Sequence, residues 1–299
     1  MNITSLAQTS AGLVAAGELG NILVSKDAGG SWMPATLSNQ RHALLTRLYF
    51  QNDDIGFAMG HEGWVLKTSD GGLSWDEVAF DHERNEPLLD IGRLPSGRLL
   101  AVGGYGKLLS SMDQGENWGL QPAPDGTDWH LNALIGSESK DSWLIAGEVG
   151  TVFRSQDQGE SWEKIPEFYN GSFYGGLHLG GENWLLYGMR GNIFRTDDNG
   201  MSWQRLDFNI PVSLFTHEVL SDGQILLAGQ GGMILSSTDN GYSFQLAYRG
   251  GRYSLTDLQF TEDGKLMAGS DQGIKTLSQF SKSAAIRLAE ESKNKKNNS

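Results

Sequence analysis

The chain has 299 residues, of which 40 are glycine and none is cysteine, and its formal net charge is −13. The acidic excess argues against a nucleic-acid partner, because that binding depends on a positively charged surface. The lack of cysteine excludes disulfides, thiol catalysis and cysteine metal sites. No run of 18 apolar residues occurs, so no segment is predicted to span a bilayer.

Six copies of one turn motif follow each other along the chain. The first is residues 25–32, SKDAGGSW, and the template is S/T-x-D-x-G-x-S-W, the Asp-box. Successive box aspartates are 43, 43, 44, 41 and 41 residues apart, and a period near 40 residues indicates a repeat array. The box aspartates are Asp27, Asp70, Asp113, Asp157, Asp198 and Asp239, and the box tryptophans are Trp32, Trp75, Trp118, Trp162 and Trp203, with Phe244 in the sixth copy.

Each part of the box has a predicted structural role. The Ser or Thr ends one strand, and the Asp carboxylate accepts hydrogen bonds from backbone N–H groups of the turn. The Gly takes a positive φ, and the Trp begins the next strand and packs between neighbouring repeats. The functional alternative is a calcium loop, but such loops need several carboxylates in one turn, and most copies have one.

A Gly-x-x-Gly step between two short apolar runs precedes every box and predicts a hairpin. The steps are Gly17 to Gly20, Gly60 to Gly63, Gly103 to Gly106, Gly147 to Gly150, Gly188 to Gly191 and Gly229 to Gly232, with a longer seventh from Gly269 to Gly273. Each repeat therefore predicts four antiparallel strands, and the chain predicts an all-β, seven-bladed β-propeller. The single domain is predicted over residues 1–281, with blades at 3–37, 44–80, 87–121, 130–168, 172–208, 213–248 and 253–281.

The seventh blade is predicted to be incomplete, because neither a box nor a tryptophan follows Thr276. A fourth strand would come from residues 277–290 or from an N-terminal segment. The first blade begins almost at Met1, so we expect the natural start to lie upstream. Residues 282–299 are predicted to be a polar tail, either a short helix or disordered.

The expected compartment depends on this start. Residues 1–6 have neither the basic region nor the apolar core of a secretory signal. We expect a periplasmic or exported protein if a signal precedes Met1, and a cytoplasmic protein if Met1 is the true start.

Residues 1–281 resemble the photosystem II stability/assembly factor-like family of BNR/Asp-box propellers, in the form found in non-photosynthetic bacteria. The resemblance lies in the repeated unit of apolar pair, Gly-x-x-Gly, apolar strand and box. Stretches that carry it are residues 87–90, 103–106, 130–133, 154–162 and 171–175. It implies an exported, non-catalytic accessory or assembly factor for a membrane protein complex, such as an RND-type exporter.

The predicted ring has a box face and a Gly-x-x-Gly face, and the second also carries the blade-to-blade loops. The two residues between the glycines differ in every blade. Loops on a rigid scaffold often carry function, and aromatic and arginine side chains are favoured interface anchors. We predict a partner-binding surface on the Gly-x-x-Gly face, formed by His61, Glu62, Tyr105, Trp129, His130, Glu148, Arg190, Arg252 and Tyr253.

These residues also have structural interpretations. The alternatives are an ordinary surface role for His61 and His130, packing at the central channel for Tyr105, the fourth-blade core for Trp129, and an ion pair with Glu148 for Arg190.

Two other function classes stay open beside the interaction platform. A sialidase-like glycosidase would need an arginine triad, a Tyr nucleophile with a partner Glu, and an acidic acid/base. Arginines are few on the relevant face, and no Arg-Ile-Pro signature precedes the first box. A carbohydrate- or small-ligand-binding propeller would stack its ligand on Tyr105 and Trp129.

The main prediction is a non-catalytic platform that binds subunits of a membrane protein complex or transporter. No phosphate-binding loop occurs, and the six histidines are scattered without metal-ligand spacing. We therefore expect no catalytic residue, no cofactor and no metal.

Overall fold

The computed structural model describes residues 1–81, 83–136, 141–208 and 210–280. These residues form seven sheets arranged as the blades of a ring, which confirms the predicted seven-bladed β-propeller. The strands are antiparallel apart from one short parallel pair in the second sheet. The helical residues among them are short 3₁₀ turns. No helix in the described part is long and apolar enough to cross a membrane.

The strands follow the repeat. The first blade contains β1 (Ile3–Thr9), β2 (Gly12–Gly17), β3 (Ile22–Ser25) and β4 (Met33–Pro34), and the second contains β5 (Thr36–Leu37), β6 (Leu45–Phe50), β7 (Gly56–Gly60), β8 (Val65–Thr68) and β9 (Ser74–Ala79). The third contains β10 (Leu88–Arg93), β11 (Leu99–Gly103), β12 (Leu108–Ser111) and β13 (Gly119–Gln121), and the fourth contains β14 (Leu131–Ile135), β15 (Trp143–Gly147), β16 (Val152–Ser155) and β17 (Glu163–Lys164). The fifth contains β18 (Phe173–Gly180), β19 (Asn183–Gly188), β20 (Ile193–Thr196) and β21 (Gln204–Arg205), and the sixth contains β22 (Leu214–Val219), β23 (Ile225–Gly229), β24 (Met233–Ser237) and β25 (Gln245–Arg249). The seventh contains β26 (Leu255–Phe260), β27 (Leu266–Ser270) and β28 (Lys275–Leu277).

The 3₁₀ turns occupy the Gly-x-x-Gly steps and two other places. They are Glu18–Gly20, His61–Gly63, Gly104–Gly106, Pro124–Gly126, Glu148–Gly150, Met189–Gly191, Gln230–Gly232 and Ser278–Phe280.

One strand joins two blades. β5 follows the outer strand of the first blade but pairs in parallel with β9 of the second, with Thr36 opposite Ser74 and Leu37 opposite Trp75. This short parallel pair ties the first blade-to-blade connection to the edge of the next sheet.

The hydrophobic core is divided into seven clusters, each between two adjacent blades. The box aromatics pack into six of them, as predicted from their size. Trp75, which is 1 % exposed, packs against Val14 and Ala16 of the preceding blade. The seventh repeat has no box and therefore no box aromatic. Phe280, which is 4 % exposed, packs into the cluster between the sixth and seventh blades.

The innermost strands line the central channel, and every one of them contains a β-bulge near its start. Several of the bulged residues donate a side-chain hydrogen bond to a carbonyl of the next blade. Thr46 Oγ1 donates to the Leu88 carbonyl at 2.6 Å, and Asn132 Nδ2 donates to the Phe173 carbonyl at 2.8 Å. The bulges therefore join neighbouring blades around the channel.

The ring closes where β26 of the last blade packs against β1 of the first. The Asp257 carboxylate accepts hydrogen bonds from Ser5 Oγ at 3.0 Å and from the Leu6 N–H at 2.8 Å. In the described residues the seventh sheet has three strands, in agreement with the predicted incomplete blade. The predicted tail, residues 282–299, lies outside the described residues.

Candidate functional site

The hydrogen bonds of each box carboxylate are made within its own turn. In the first copy, the Asp27 carboxylate accepts from the Ser31 N–H at 2.7 Å, from Ser31 Oγ at 2.7 Å and from Ser25 Oγ at 2.8 Å. The bonds from Ser31 and Ser25 lower the pKa of Asp27 to about 2. Equivalent bonds recur in the other five copies. The box carboxylates therefore stabilise their own turns. The aromatic residue was predicted to begin the next strand, but in five copies the strand begins one residue after it. In the second copy, Trp75 lies inside β9.

The Gly-x-x-Gly turns share an unusual backbone geometry. The second residue between the glycines has a left-handed φ in six blades, namely Leu19 (59°), Glu62 (61°), Tyr105 (55°), Val149 (52°), Arg190 (55°) and Gly231 (73°). This region costs a residue with a Cβ about 1–2 kcal/mol. Five non-glycine residues keep it here, and backbone strain of this kind tends to cluster at functional sites.

The left-handed turn exposes the side chain of Tyr105 to solvent. A Cβ on Gly104 would lie 2.9 Å from Pro87, and a Cβ on Gly106 would lie 2.1 Å from the Thr127 carbonyl. The turn is therefore wedged between these two segments, and only the tyrosine between the glycines can project. Its side chain is 62 % exposed, so it does not fill the channel as the structural alternative supposed.

The residues around Tyr105 form a contiguous group in the third and fourth blades. The Tyr105 and His130 rings meet edge to face at 4.8 Å. His130 Nδ1 lies 3.9 Å from Glu148 Oε1, and the His130 N–H donates to Glu148 Oε2 at 3.2 Å. Trp129 is 46 % exposed rather than buried in the fourth blade, and its carbonyl accepts from the Gly106 N–H at 2.9 Å.

The other predicted surface residues lie elsewhere on the ring. His61 and Glu62 are in the second blade, and His61 is exposed. Arg190 is exposed in the fifth blade, and the described residues show no ion pair between it and Glu148, whose carboxylate lies beside His130.

Arg252 and Tyr253 precede β26 in the seventh blade. Arg252 is exposed, whereas Tyr253 is half-buried against Tyr248, with its hydroxyl 3.5 Å from that of Tyr248. Burial and this neighbour raise the pKa of Tyr253 to about 12. Of the nine predicted residues, the structure brings together Tyr105, Trp129, His130 and Glu148.

Sequence reasoning missed the polar lining of the central channel, a cavity of about 460 Å³. Arg47 Nε lies 3.2 Å from Asp90 Oδ1, and Asp90 accepts from the Leu134 N–H at 2.9 Å. Asp90 and Asp257 raise the pKa of Arg47, whereas desolvation raises the pKa of Asp90. The ion pair and its hydrogen bonds join the second, third and fourth blades.

A second polar contact crosses the channel wall between the fifth and sixth blades. The Tyr187 hydroxyl lies 2.8 Å from His217 Nδ1. Tyr187 comes from the second strand of its blade and reaches the channel because Gly175 opposite has no side chain; a Cβ there would lie 2.2 Å from the hydroxyl. Enclosure lowers the pKa of His217 to about 4, so the ring is neutral at pH 7.

A signal for this lining was present in the sequence. When the first strands are aligned at their bulges, the third residue is polar in five blades. These residues are Ser5, Arg47, Asp90, Thr216 and Asp257. Polar residues at one register of otherwise apolar strands would have predicted a ring facing the channel.

The described residues contain no group of three or more acidic or histidine side chains placed to hold a metal ion. Asp257 is saturated by donors from Ser5, Leu6, Thr216 and Leu258.

Comparisons with known proteins place the fold but not the family. No protein-family model and no curated protein matches the chain. Among solved structures, YCF48 bound to a D1 peptide superposes with a TM-score of 0.71 at 19% identity, covering 91% of this chain and 90% of that one. YCF48 from Cyanidioschyzon merolae gives 0.70 at 13% identity, covering 91% and 94%. The WD40 propeller domain of Doa1 gives 0.68 at 12% identity, covering 91% and 90%.

These identities establish the fold alone. The chain has the propeller fold of YCF48, which agrees with the fold implied by the sequence resemblance.

Proposed function

We propose that the protein is a non-catalytic interaction platform that binds a segment of a partner protein on its Gly-x-x-Gly face. The observation that carries this proposal is the group around Tyr105, where a strained turn presents an aromatic ring that is 62 % exposed. The same turn is hydrogen-bonded to the backbone of Trp129, which is 46 % exposed. Exposed aromatics on a rigid scaffold are typical anchors of protein interfaces. A YCF48 propeller of the same fold has been solved with a bound peptide, which supports this class of function.

The polar channel favours a structural role over glycosidase chemistry. Arg47 is the one arginine among the described residues that line it, whereas sialidase-like chemistry would need three. Arg47 is paired with Asp90, and Asp257 is saturated by donors from neighbouring blades. The charges therefore stabilise contacts between blades.

We further propose that the partner belongs to a membrane protein complex, with an RND-type exporter as the specific candidate, and that the protein works in the periplasm. Both statements rest on the sequence resemblance.

The test is affinity purification of the tagged protein from membranes of its own host, followed by mass spectrometry. Tyr105→Asn combined with Trp129→Ser removes both aromatics, and asparagine tolerates the left-handed backbone at position 105. The matched control is Met112→Ser, which removes a side chain that is 74 % exposed on the box face.

We expect a membrane protein that co-purifies with the wild type and the control but is lost with the double variant. Recovery of the same protein with all three would exclude this face as the binding site. A protein that recovers no membrane partner would overturn the proposal.

A further inference from the structure

The surface around Tyr105 combines two chemical features. The exposed aromatic residues Tyr105 and Trp129 lie in two joined segments, and the second of these also carries the exposed Asp125 and Asp128. Glu148 adjoins them through His130, whose ring contacts Tyr105 and whose N–H donates to the Glu148 carboxylate. We call the two aromatic residues and the three acidic residues the aromatic–acidic patch. The Gly106 N–H bonds the Trp129 carbonyl, and the Gly106 backbone abuts Thr127, so the tyrosine turn and the 125–129 segment form one surface.

The three carboxylates of the patch outnumber the cations paired with them. Asp125 is 66 % exposed and forms an ion pair with Lys164 Nζ at 3.9 Å. Asp128 is exposed, and the described residues give its side chain no hydrogen bond or ion pair. Lys107 lies next to the tyrosine turn, but it is buried and held by Asp81 and Glu86. The patch therefore faces solvent with a negative potential.

Aromatic faces beside carboxylates match the side chains of lysine and arginine. A cation is attracted to the face of an aromatic ring and pairs with a nearby carboxylate, and its aliphatic stem covers apolar surface. The protein already uses this combination internally. The Arg41 guanidinium lies 3.3 Å from the Phe80 ring centre and pairs with Glu77 at 2.6 Å. The Arg195 guanidinium lies 3.9 Å from the Tyr242 ring centre.

We infer that the aromatic–acidic patch recognises a basic, extended peptide segment, whose lysine or arginine side chain lies on Tyr105 or Trp129 and pairs with the adjacent carboxylates. The inference rests on the proposed function, because it specifies the chemistry of the partner at that same face. The net charge of −13 also favours the approach of a basic segment over long range.

The direct test measures binding of three capped ten-residue peptides to the purified protein by isothermal titration calorimetry at low salt. The peptides share a Gly/Ser background and carry three arginines, three norleucines or three glutamates. The variants are Asp125→Asn with Asp128→Asn, and Tyr105→Asn with Trp129→Ser. The charge-matched control is Asp53→Asn with Asp76→Asn, since both aspartates are exposed away from the patch.

We expect the arginine peptide to bind the wild type and the charge control equally, and each patch variant about tenfold more weakly. The norleucine and glutamate peptides should bind more weakly than the arginine peptide. The urea unfolding midpoint should be the same for all variants, so that lost binding is not lost folding. Equal binding of the norleucine and arginine peptides, or an equal loss in the charge control, would overturn the inference.

The two proposals fail in different ways. If the arginine peptide does not bind, but a membrane partner is still lost with Tyr105→Asn and Trp129→Ser, the interaction platform stands and its basic specificity is wrong. If neither assay depends on these residues, both proposals are wrong.

Discussion

Asp257 links the last blade of the ring to the first through buried hydrogen bonds. It is 6 % exposed and accepts four hydrogen bonds, from Ser5 Oγ, Leu6 N–H, Thr216 Oγ1 and Leu258 N–H, at 2.8 to 3.0 Å. Two of these donors belong to the first blade. The first and seventh blades are not consecutive in the sequence, so packing and side-chain contacts hold them together. Substitution by alanine leaves buried donors without an acceptor.

A hydrogen bond to a charged group contributes about 1.5–3 kcal/mol, and these four share one acceptor, so we expect Asp257→Ala to lower the free energy of unfolding by about 4 kcal/mol. Asp257→Asn keeps one carbonyl oxygen and should cost about half as much. The measurement is urea unfolding followed by tryptophan fluorescence, with the free energy and its denaturant dependence fitted together.

The matched control is Asp90→Ala. Asp90 likewise accepts from the next blade, through the Leu134 N–H, but there the two blades are consecutive in the chain. Asp90 also accepts from the Ile91 N–H, and its charged partner Arg47 is 41 % exposed to the channel and is less costly to leave unpaired. We expect a smaller loss than for Asp257→Ala. A loss at Asp257 that is below about 1 kcal/mol, or no larger than at Asp90, would refute the reasoning that its hydrogen bonds limit ring closure.

Three further predictions concern stability. Trp75→Ala should cost about 3–5 kcal/mol, and more than Trp32→Ala in urea unfolding, because Trp75 is buried and Trp32 is half-buried. Gly175→Ala should cost about 1–3 kcal/mol and break the contact of Tyr187 with His217, so that the His217 ring signals shift in NMR spectra; unchanged signals would contradict this. The contribution of His217 to stability should be full above pH about 6.5 and be lost towards pH 4, because the unfolded chain binds a proton there that the folded His217 does not bind. Stability should fall again from pH about 4 towards 2, because box carboxylates with a folded pKa of about 2 are protonated more readily in the unfolded chain. His217→Gln should flatten the upper step alone, as measured by unfolding across pH.

The repeat made the architecture predictable. The Asp-box and the Gly-x-x-Gly step are local motifs, and each fixes a turn through contacts within a few residues, as Asp27 with Ser25 and Ser31 shows. The number of blades then follows from counting turns. The aromatic residues between blades were predictable for the same reason, because Trp75 lies at a fixed place in its repeat.

The candidate site was predictable only in part. The variable residues between the glycines were visible in the sequence, but their left-handed backbone was not. Bulky residues normally adopt a negative φ, whereas Tyr105 has a φ of 55°. An ion pair of Arg190 with Glu148 was one structural interpretation of the sequence, whereas Glu148 contacts His130 of its own blade. Which loops meet depends on the rotation from one blade to the next.

By itself, the sequence determined the class, the number of blades, the two faces and the incomplete last repeat, because these follow from local turns repeated at a constant period. Only the tertiary structure decided that Asp257 bonds the last blade to the first, that Tyr187 reaches His217 past Gly175, and that the segments of Tyr105 and Trp129 are joined. Those contacts join residues up to about 250 positions apart. They arise when seven sheets close around one axis, which no local pattern records.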